Sequence, residues 1–280
     1  MMQGIDLSKY QRQVDWEKVK AAGKSFAIIR AGYGRYLSQQ DPMFKAHING
    51  AASVGLPVGA YWFSYALSAA EAEAEAEVCL KILASYREKI TLPVFFDQEY
   101  VPAIIGLGNK TRTDCCLAFM KKIQAEGYRT GVYCSYDWLM NKLERERLTN
   151  WPLWVAQYGP KCSYRGENLV AWQYSGSGAV EGVSGAVDLD EGYSGLLPER
   201  ETGWRKEGGY WYYDLNGVPQ KERWIKDKGW WYWLGEDGRM ATGWLLWKGK
   251  AYWLNIKAAE GVPEGACIIT DKDGAVLEAK

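Results

Sequence analysis

Across residues 1–195, short apolar runs alternate with amphipathic ones. The runs at 4–7, 26–31, 57–64, 92–97, 130–135, 153–157, 170–173 and 186–189 are close to continuously apolar, the pattern of strands buried on both faces. Helices are predicted between them. Asp41-Pro42 sets an N-cap before a proline at the first helical position, and Gly55 closes that helix. Ser68-Ala-Ala-Glu71 is a capping box opening an Ala/Glu helix to about Lys89. The Glu residues of that run recur with period two, yet Ala and Glu favour helix over strand, and such an acidic run reads as a solvated face. A further helix runs over 110–127 and is closed by Gly127. This strand–helix alternation predicts an α/β fold, an irregular TIM-like β/α barrel with its polar site at the C-terminal ends of the strands.

Beyond a linker at 196–203 the pattern changes. Trp204, Trp224 and Trp244 are spaced by 20 residues. Seven residues after each come Trp211-Tyr212-Tyr213, Trp231-Tyr232-Trp233 and Ala251-Tyr252-Trp253. The pairs Asn216-Gly217, Asp237-Gly238 and Glu260-Gly261 follow as candidate turns. A fixed period of aromatic strands and turns predicts a small all-β array of stacked hairpins, a solenoid, over 204–280.

Composition narrows the chemistry. The chain has 280 residues, with 34 Lys+Arg against 34 Asp+Glu, so it lacks the basic excess that nucleic acid binding requires. A single histidine, His47, excludes multi-His zinc sites, and no metal or cofactor is expected. None of the six cysteines forms a CxxC pair, so they read as packed, reduced thiols. No GxGxxG follows a strand and no Walker A motif is present, so nucleotide binding has no support. No run approaches a membrane span, and MMQGIDLSKYQ has no secretory signal pattern. The expectation is a protein made in the cytoplasm that reaches its target after release. Nine of the fifteen tryptophans fall between Trp204 and Trp253, so the aromatic excess is mainly regional.

Acid–base work therefore falls to carboxylates. The strand ends carry Asp6, then Tyr61, Trp62, Phe63, Ser64 and Tyr65, then Asp97 and Glu99, then Tyr133 and Ser135. Trp154 and Gln157, Trp172 and Gln173, and finally Asp188 with Asp190 complete the rim. Aromatic faces with amides and carboxylates suit a sugar cleft, and Tyr61, Trp62, Tyr133, Trp154, Gln157, Trp172 and Gln173 are its candidate substrate-binding residues. Asp97 and Glu99, two apart on a strand, share a face about 6.6 Å apart along the chain. Paired carboxylates are what glycoside hydrolysis uses. A D-x-E pair can also simply cap a loop, but the apolar strand before it and the acids at other strand ends favour a site.

These residues resemble the glycoside hydrolase family 25 lysozymes, the muramidases of phage and bacteria. The matching stretches are GIDLSKYQ, VDW, FAIIRAGYG, VGAYWFSYA with the acidic helix after it, LPVFFDQE, GVYCSY, LWVAQYG, WQYS and GAVDLD, over 1–195. The resemblance implies cleavage of the β-1,4 bond between N-acetylmuramic acid and N-acetylglucosamine in peptidoglycan. It implies Glu99 as general acid and Asp97 as stabiliser of the oxocarbenium-like centre or of an oxazolinium. Asp6 and Asp188 orient and charge-balance the site, with Asp190 competing for the role of Asp188. The tail resembles choline-binding cell-wall repeats, in which aromatic cages hold a quaternary ammonium by cation–π attraction. The cages this implies are Trp204 and Trp211 closed by Trp231 or Trp233, and Trp224 and Trp231 closed by Trp253. Arg223 in place of Gly, Ala251 in place of an aromatic, and the loss of register over 262–280 depart from that pattern. Choline or another teichoic-acid ligand is the expected tail partner. The whole reads as a phage or prophage lysin. The alternatives are a non-catalytic wall-binding or adhesion protein and a barrel glycosidase of another specificity.

Overall fold

The eight apolar runs form eight strands that close on themselves. The computed structural model describes residues 2–198, 202–215, 218–259, 261–270 and 276–277. The chain divides into two units, Met1–Pro198 and Glu199–Lys280. In the first, the strands are β1 (Met2–Leu7), β2 (Phe26–Tyr33), β3 (Val58–Phe63), β4 (Ile90–Asp97), β5 (Thr130–Ser135), β6 (Leu153–Ala156), β7 (Leu169–Gly178) and β8 (Val187–Gly192). The helices are α1 (Trp16–Ala21), α2 (Phe44–Ser53), α3 (Ala69–Leu83), α4 (Pro102–Ile105), α5 (Asn109–Ala125) and α6 (Tyr136–Asn141). None of the described helices is long and apolar enough to cross a membrane.

Strands β1 to β7 pair in parallel, but β8 runs antiparallel to both β7 and β1. A TIM barrel is parallel throughout, and this barrel departs from it in its last strand. Residues 179–186 between β7 and β8 are too few for a crossover helix, and a direct return reverses the strand. The reversal has a geometric result. The start of β8, not its end, lies at the rim where the other strands finish.

Alternation along each strand sorts side chains into two cores. Phe26, Ile28, Phe95 and Trp154 pack inside the barrel. Ile29, Val94, Phe96, Val132 and Val155 pack outward with Ala76, Val78, Phe119 and Leu139 of the helices. Gly4 faces inward because the Phe26 ring occupies the space a Cβ would need, 2.2 Å away.

The long acidic helix forms as its cap predicts, with Ser68 accepting from Glu71 N at 3.3 Å. It ends at Leu83, and a single-turn tightening over 84–89 takes its place. Its acidic residues do not all lie on a solvated face, because Glu75 is buried at 2% exposure. All six cysteines are buried free thiols.

In the second unit the strands are β9 (Gly203–Glu207), β10 (Tyr210–Leu215), β11 (Val218–Pro219), β12 (Arg223–Asp227), β13 (Trp230–Leu234), β14 (Gly243–Trp247), β15 (Lys250–Leu254), β16 (Cys267–Thr270) and β17 (Val276–Leu277). They form sheets of three, two and four strands. Each repeat is a hairpin pairing Trp204 with Tyr213, Trp224 with Trp233 and Trp244 with Trp253. The hairpin turns are Gly208-Gly209, Lys228-Gly229 and Lys248-Gly249, all six residues at positive φ as type I′ turns require. The expected turn pairs are not the turns of these three hairpins, although Leu215 pairs antiparallel with Val218 and Ala259 with Val262 on either side of two of them. Asp237-Gly238 lies in the connection between hairpins, while Asn216-Gly217 and Glu260 fall outside the described residues.

Candidate active site

All eight barrel strands, with some of the turns after them, bring polar and aromatic side chains to one cavity of about 480 Å³. Asp6, Asp97, Glu99 and Asp188 all line it. Asp97 is the last residue of β4 and Glu99 lies in the turn beyond, so the strand does not carry both. Gln98 between them points outward, where it accepts from the Cys116 thiol. Asp188 sits opposite Asp6 in the β1–β8 register, whereas Asp190 lies two residues deeper, opposite Gly4 and Gln173. Asp190 is fully buried and accepts the Trp154 indole N–H at 2.8 Å.

Of the predicted substrate-binding residues, Tyr61, Tyr133, Trp154 and Gln173 line the cavity. Tyr133 packs on Trp154 with ring centroids 4.3 Å apart. Gln173 is held by three neighbours. Its Nε2 donates to Asp6 Oδ2 at 2.7 Å, and its Oε1 accepts from the hydroxyls of Tyr133 and Tyr158. Trp62, Trp172 and Gln157 are corrections, since none of them lines the cavity. Trp62 follows the inward Tyr61, so it points to the helix layer, where its indole donates to Gly34 O. Trp172 precedes the inward Gln173, and its indole donates to Gln157 O. The Gln157 amide bonds to Ser163 instead.

Sequence reasoning assigned no role to Arg30, Tyr33 and Tyr10, which also line the cavity. Arg30 pairs with the buried Asp41 at 2.7 Å, and its Nη2 is buried with no hydrogen-bond partner among the described residues. A lone arginine closing the apolar stretch FAII was the available signal.

The electrostatics follow from burial of several like charges. Burial, with the nearby Asp190 and Asp188, pushes Asp6 well above the usual carboxylate range. Asp190 is pushed up to about 7 by burial, against the pull of the Trp154 hydrogen bond. Burial and the neighbouring Glu99 raise Asp97 strongly, while Arg30 opposes. Glu99 is raised by burial and by Asp188, and the Tyr133 hydroxyl pulls the other way. A carboxyl held partly protonated beside ionisable partners can deliver a proton to a leaving oxygen.

In the second unit, a cavity of about 610 Å³ is lined by Trp204, Trp211, Tyr232, Met240, Asp227 and Glu264, among others. Trp204 and Trp211 therefore share a cavity as expected, but Tyr232 closes it rather than Trp231 or Trp233. The physical reason is alternation along β13, which turns Trp231 and Trp233 to the other face from Tyr232. Trp231 is 41% exposed with Lys226 over its ring. Trp224 meets neither Trp231 nor Trp253; its ring packs with Trp233, Trp247 and Tyr252. Trp253 pairs with Trp244 instead.

Known proteins are similar to this chain over about 70% of its length. The chain is 29% identical over 196 residues to the autolytic lysozyme of Clostridium acetobutylicum, a match covering 70% of this chain and 57% of that protein. It therefore spans little more than half of that relative. It is 32% identical over 200 residues to lysozyme M1 of Streptomyces globisporus, covering 68% of this chain and 67% of that one. The crystal structure of a bacterial lysozyme from Streptomyces coelicolor superimposes with a TM-score of 0.59 at 29% identity, over 68% of this chain and 91% of that one. Residues 5–183 match the model of glycosyl hydrolases family 25. That match covers more than half of the chain and seven of the eight strands of the closed barrel, and the chain belongs to glycosyl hydrolases family 25.

Proposed function

We propose that the barrel is an N-acetylmuramidase, cleaving the β-1,4 bond between N-acetylmuramic acid and N-acetylglucosamine in peptidoglycan. The observation that carries this reading is the meeting of Asp97 and Glu99 with Asp6 and Asp188 in one aromatic-walled cavity. Glu99, the acid of the D-x-E pair set beyond the strand, protonates the glycosidic oxygen. Asp97, beside Arg30, stabilises the positive charge that develops at the anomeric carbon or an oxazolinium formed by the substrate's acetamido group. Asp6 and Asp188 orient the site, with Gln173 fixing the Asp6 carboxyl. The test is Glu99→Gln in the full chain. Removing a general acid costs on the order of 10²- to 10⁴-fold in rate. Purified protein should release muramic acid reducing ends from Gram-positive walls, and the variant should not. Full activity in Glu99→Gln overturns the assignment.

The second reading concerns residues 204–280, taken as a stacked hairpin array that holds the wall. Ring contacts between successive hairpins support the stacking: Trp204 with Tyr232 at 4.7 Å and Trp224 with Tyr252 at 5.1 Å. The cavity of Trp204, Trp211, Tyr232 and Met240 offers aromatic faces, with Asp227 and Glu264 outnumbering Lys228 on its wall. Those are the groups a quaternary ammonium such as choline requires. Millimolar choline is expected to displace the full chain from choline-bearing walls, and another wall ligand is indicated where it does not.

A further inference from the structure

The acidic run of α3 reads as a solvated face, and Glu75 departs from it. Glu75 Oε1 accepts the backbone N–H of Tyr65 at 2.8 Å. Its Oε2 is buried and has no hydrogen-bond partner among the described residues. The residue before Tyr65 is tied on the other side, because Ser64 donates its backbone N–H to the Asp97 carbonyl at 3.0 Å. The turn after β3 is thus suspended between the strand that carries Asp97 and the helix that carries Glu75.

The Tyr65 ring stands in the wall of the cleft. It meets Phe63 at 5.2 Å and Tyr33 at 6.1 Å between ring centroids, and all three line the cavity of the carboxylates. Tyr65 is 47% exposed, so burial alone does not fix it. A second cavity of about 260 Å³, lined by Gly34, Leu67, Glu71 and Glu75 among others, adjoins Tyr65 and gives the turn room to move.

We propose that Glu75 is a positioning residue for the glycan cleft: through the Tyr65 N–H its carboxyl keeps the Tyr65 ring in the cleft wall. The proposal rests on the glycan-cleft reading above.

The charge state of Glu75 gives the proposal a direction. Burial pushes Glu75 up to about 7. The Tyr65 N–H and the Ser64 hydroxyl pull it the other way, Glu71 on the same helix raises it further, and Arg35 after β2 opposes, but burial outweighs them all. The thiols of Cys79 on α3 and Cys115 on α5 also feel its charge. The ordered turn favours the neutral carboxyl, whose carbonyl oxygen still accepts from Tyr65. Ionisation places charge on a buried carboxyl, so the ordered arrangement loses ground as pH rises from the ordinary carboxylate range to about 7, and no further above it. The effect falls on KM, because Glu75 shapes the wall and takes no part in proton transfer.

The experiment is steady-state hydrolysis of soluble peptidoglycan fragments by the full chain between pH 5.5 and 8.5. Wild type should show KM rising from pH 5.5 to about 7 and level above it. Glu75→Gln, which keeps an acceptor oxygen and cannot ionise, should hold KM low throughout. Glu75→Ala should raise KM about tenfold at pH 6, with kcat within about twofold of wild type. In a Tyr65→Ala background, Glu75→Ala should add nothing further, as expected when one residue acts through the other. A Glu75→Gln profile that keeps the wild-type pH dependence of KM overturns the proposal. So does a full-sized effect of Glu75→Ala without the Tyr65 ring. Should Glu75→Ala fail to fold, the Glu75→Gln profile decides alone. If wild type cleaves no fragment, the muramidase reading fails instead. Calorimetric binding of the same fragments then tests Glu75 separately, with equal affinity in wild type and Glu75→Gln at pH 8 counting against it.

Discussion

Asp6 and Asp188 stand opposite each other across β1 and β8, two acids in one cross-strand pair. Like charges so placed work against the fold. Asp6 is 3% exposed and its pKa is raised in the folded protein, so the cost of ionising it grows as pH climbs above about 4. Asp6→Asn keeps an acceptor for Gln173 and removes the charge. Its melting temperature at pH 7 should exceed that of wild type by the equivalent of about 1 kcal/mol, a gain that fades toward pH 4. Hydrolysis should fall at least about tenfold. Circular dichroism melts at the two pH values, beside a wall-clearing assay, check both halves.

Two neighbours pull Glu99 in opposite directions, and each pull can be read in a pH profile. As the proposed general acid, Glu99 must be protonated to act, so activity should decline as pH passes its pKa. Asp188 raises that pKa and Tyr133 lowers it. Asp188→Asn should move the alkaline limb of kcat/KM to lower pH, and Tyr133→Phe should move it to higher pH, each by up to about 1 pH unit. Limbs that shift together, or not at all, would separate the limb from Glu99.

Trp154 holds Asp190 from beneath the cleft. Trp154→Phe leaves a fully buried carboxyl without its indole donor, at a cost of about 2 kcal/mol where that carboxyl is ionised. Asp190 is pushed up to about 7, so the loss should be greater at pH 8 than at pH 5. Urea unfolding at the two pH values measures the difference.

The positions of the strands were legible in the sequence, because apolar runs bounded by polar turns leave little choice. The facing of adjacent aromatics was less so. Tyr61 and Trp62 both sit near the end of β3, and only the register of the closed barrel decides that Tyr61 enters the cleft while Trp62 packs under the helices. The same ambiguity misplaced Trp172 beside Gln173, and Trp231 and Trp233 around Tyr232. The direction of β8 was readable from the short connection before it. The hairpin turns were readable too, since Gly-Gly, Lys-Gly and Lys-Gly recur every 20 residues. Trp62→Phe provides a check on the facing. It should lower stability by about 1–2 kcal/mol through the lost bond to Gly34 and lost packing, with KM for soluble fragments unchanged.

The two tryptophans that follow equivalent lysines in the tail differ in surroundings. Trp211 lines the aromatic cavity, and Trp231 lies outside it. In the full chain, Trp211→Ala should weaken retention on whole walls about tenfold, in line with the loss of one desolvated cation–π face, while Trp231→Ala should change it less than twofold. Sedimentation of protein with insoluble walls gives both numbers.

The antiparallel closure by β8 also sets when activity can begin. The strand bearing Asp6 is the first of the barrel in chain order, and the strand bearing Asp188 is the last. The two acids come together only when β8 docks between β7 and β1. A nascent or truncated chain lacking that strand carries Asp97 and Glu99 but not the pair that completes the cavity. On the muramidase reading, hydrolysis is thereby contingent on a finished barrel, since an incomplete chain lacks the Asp6–Asp188 pair.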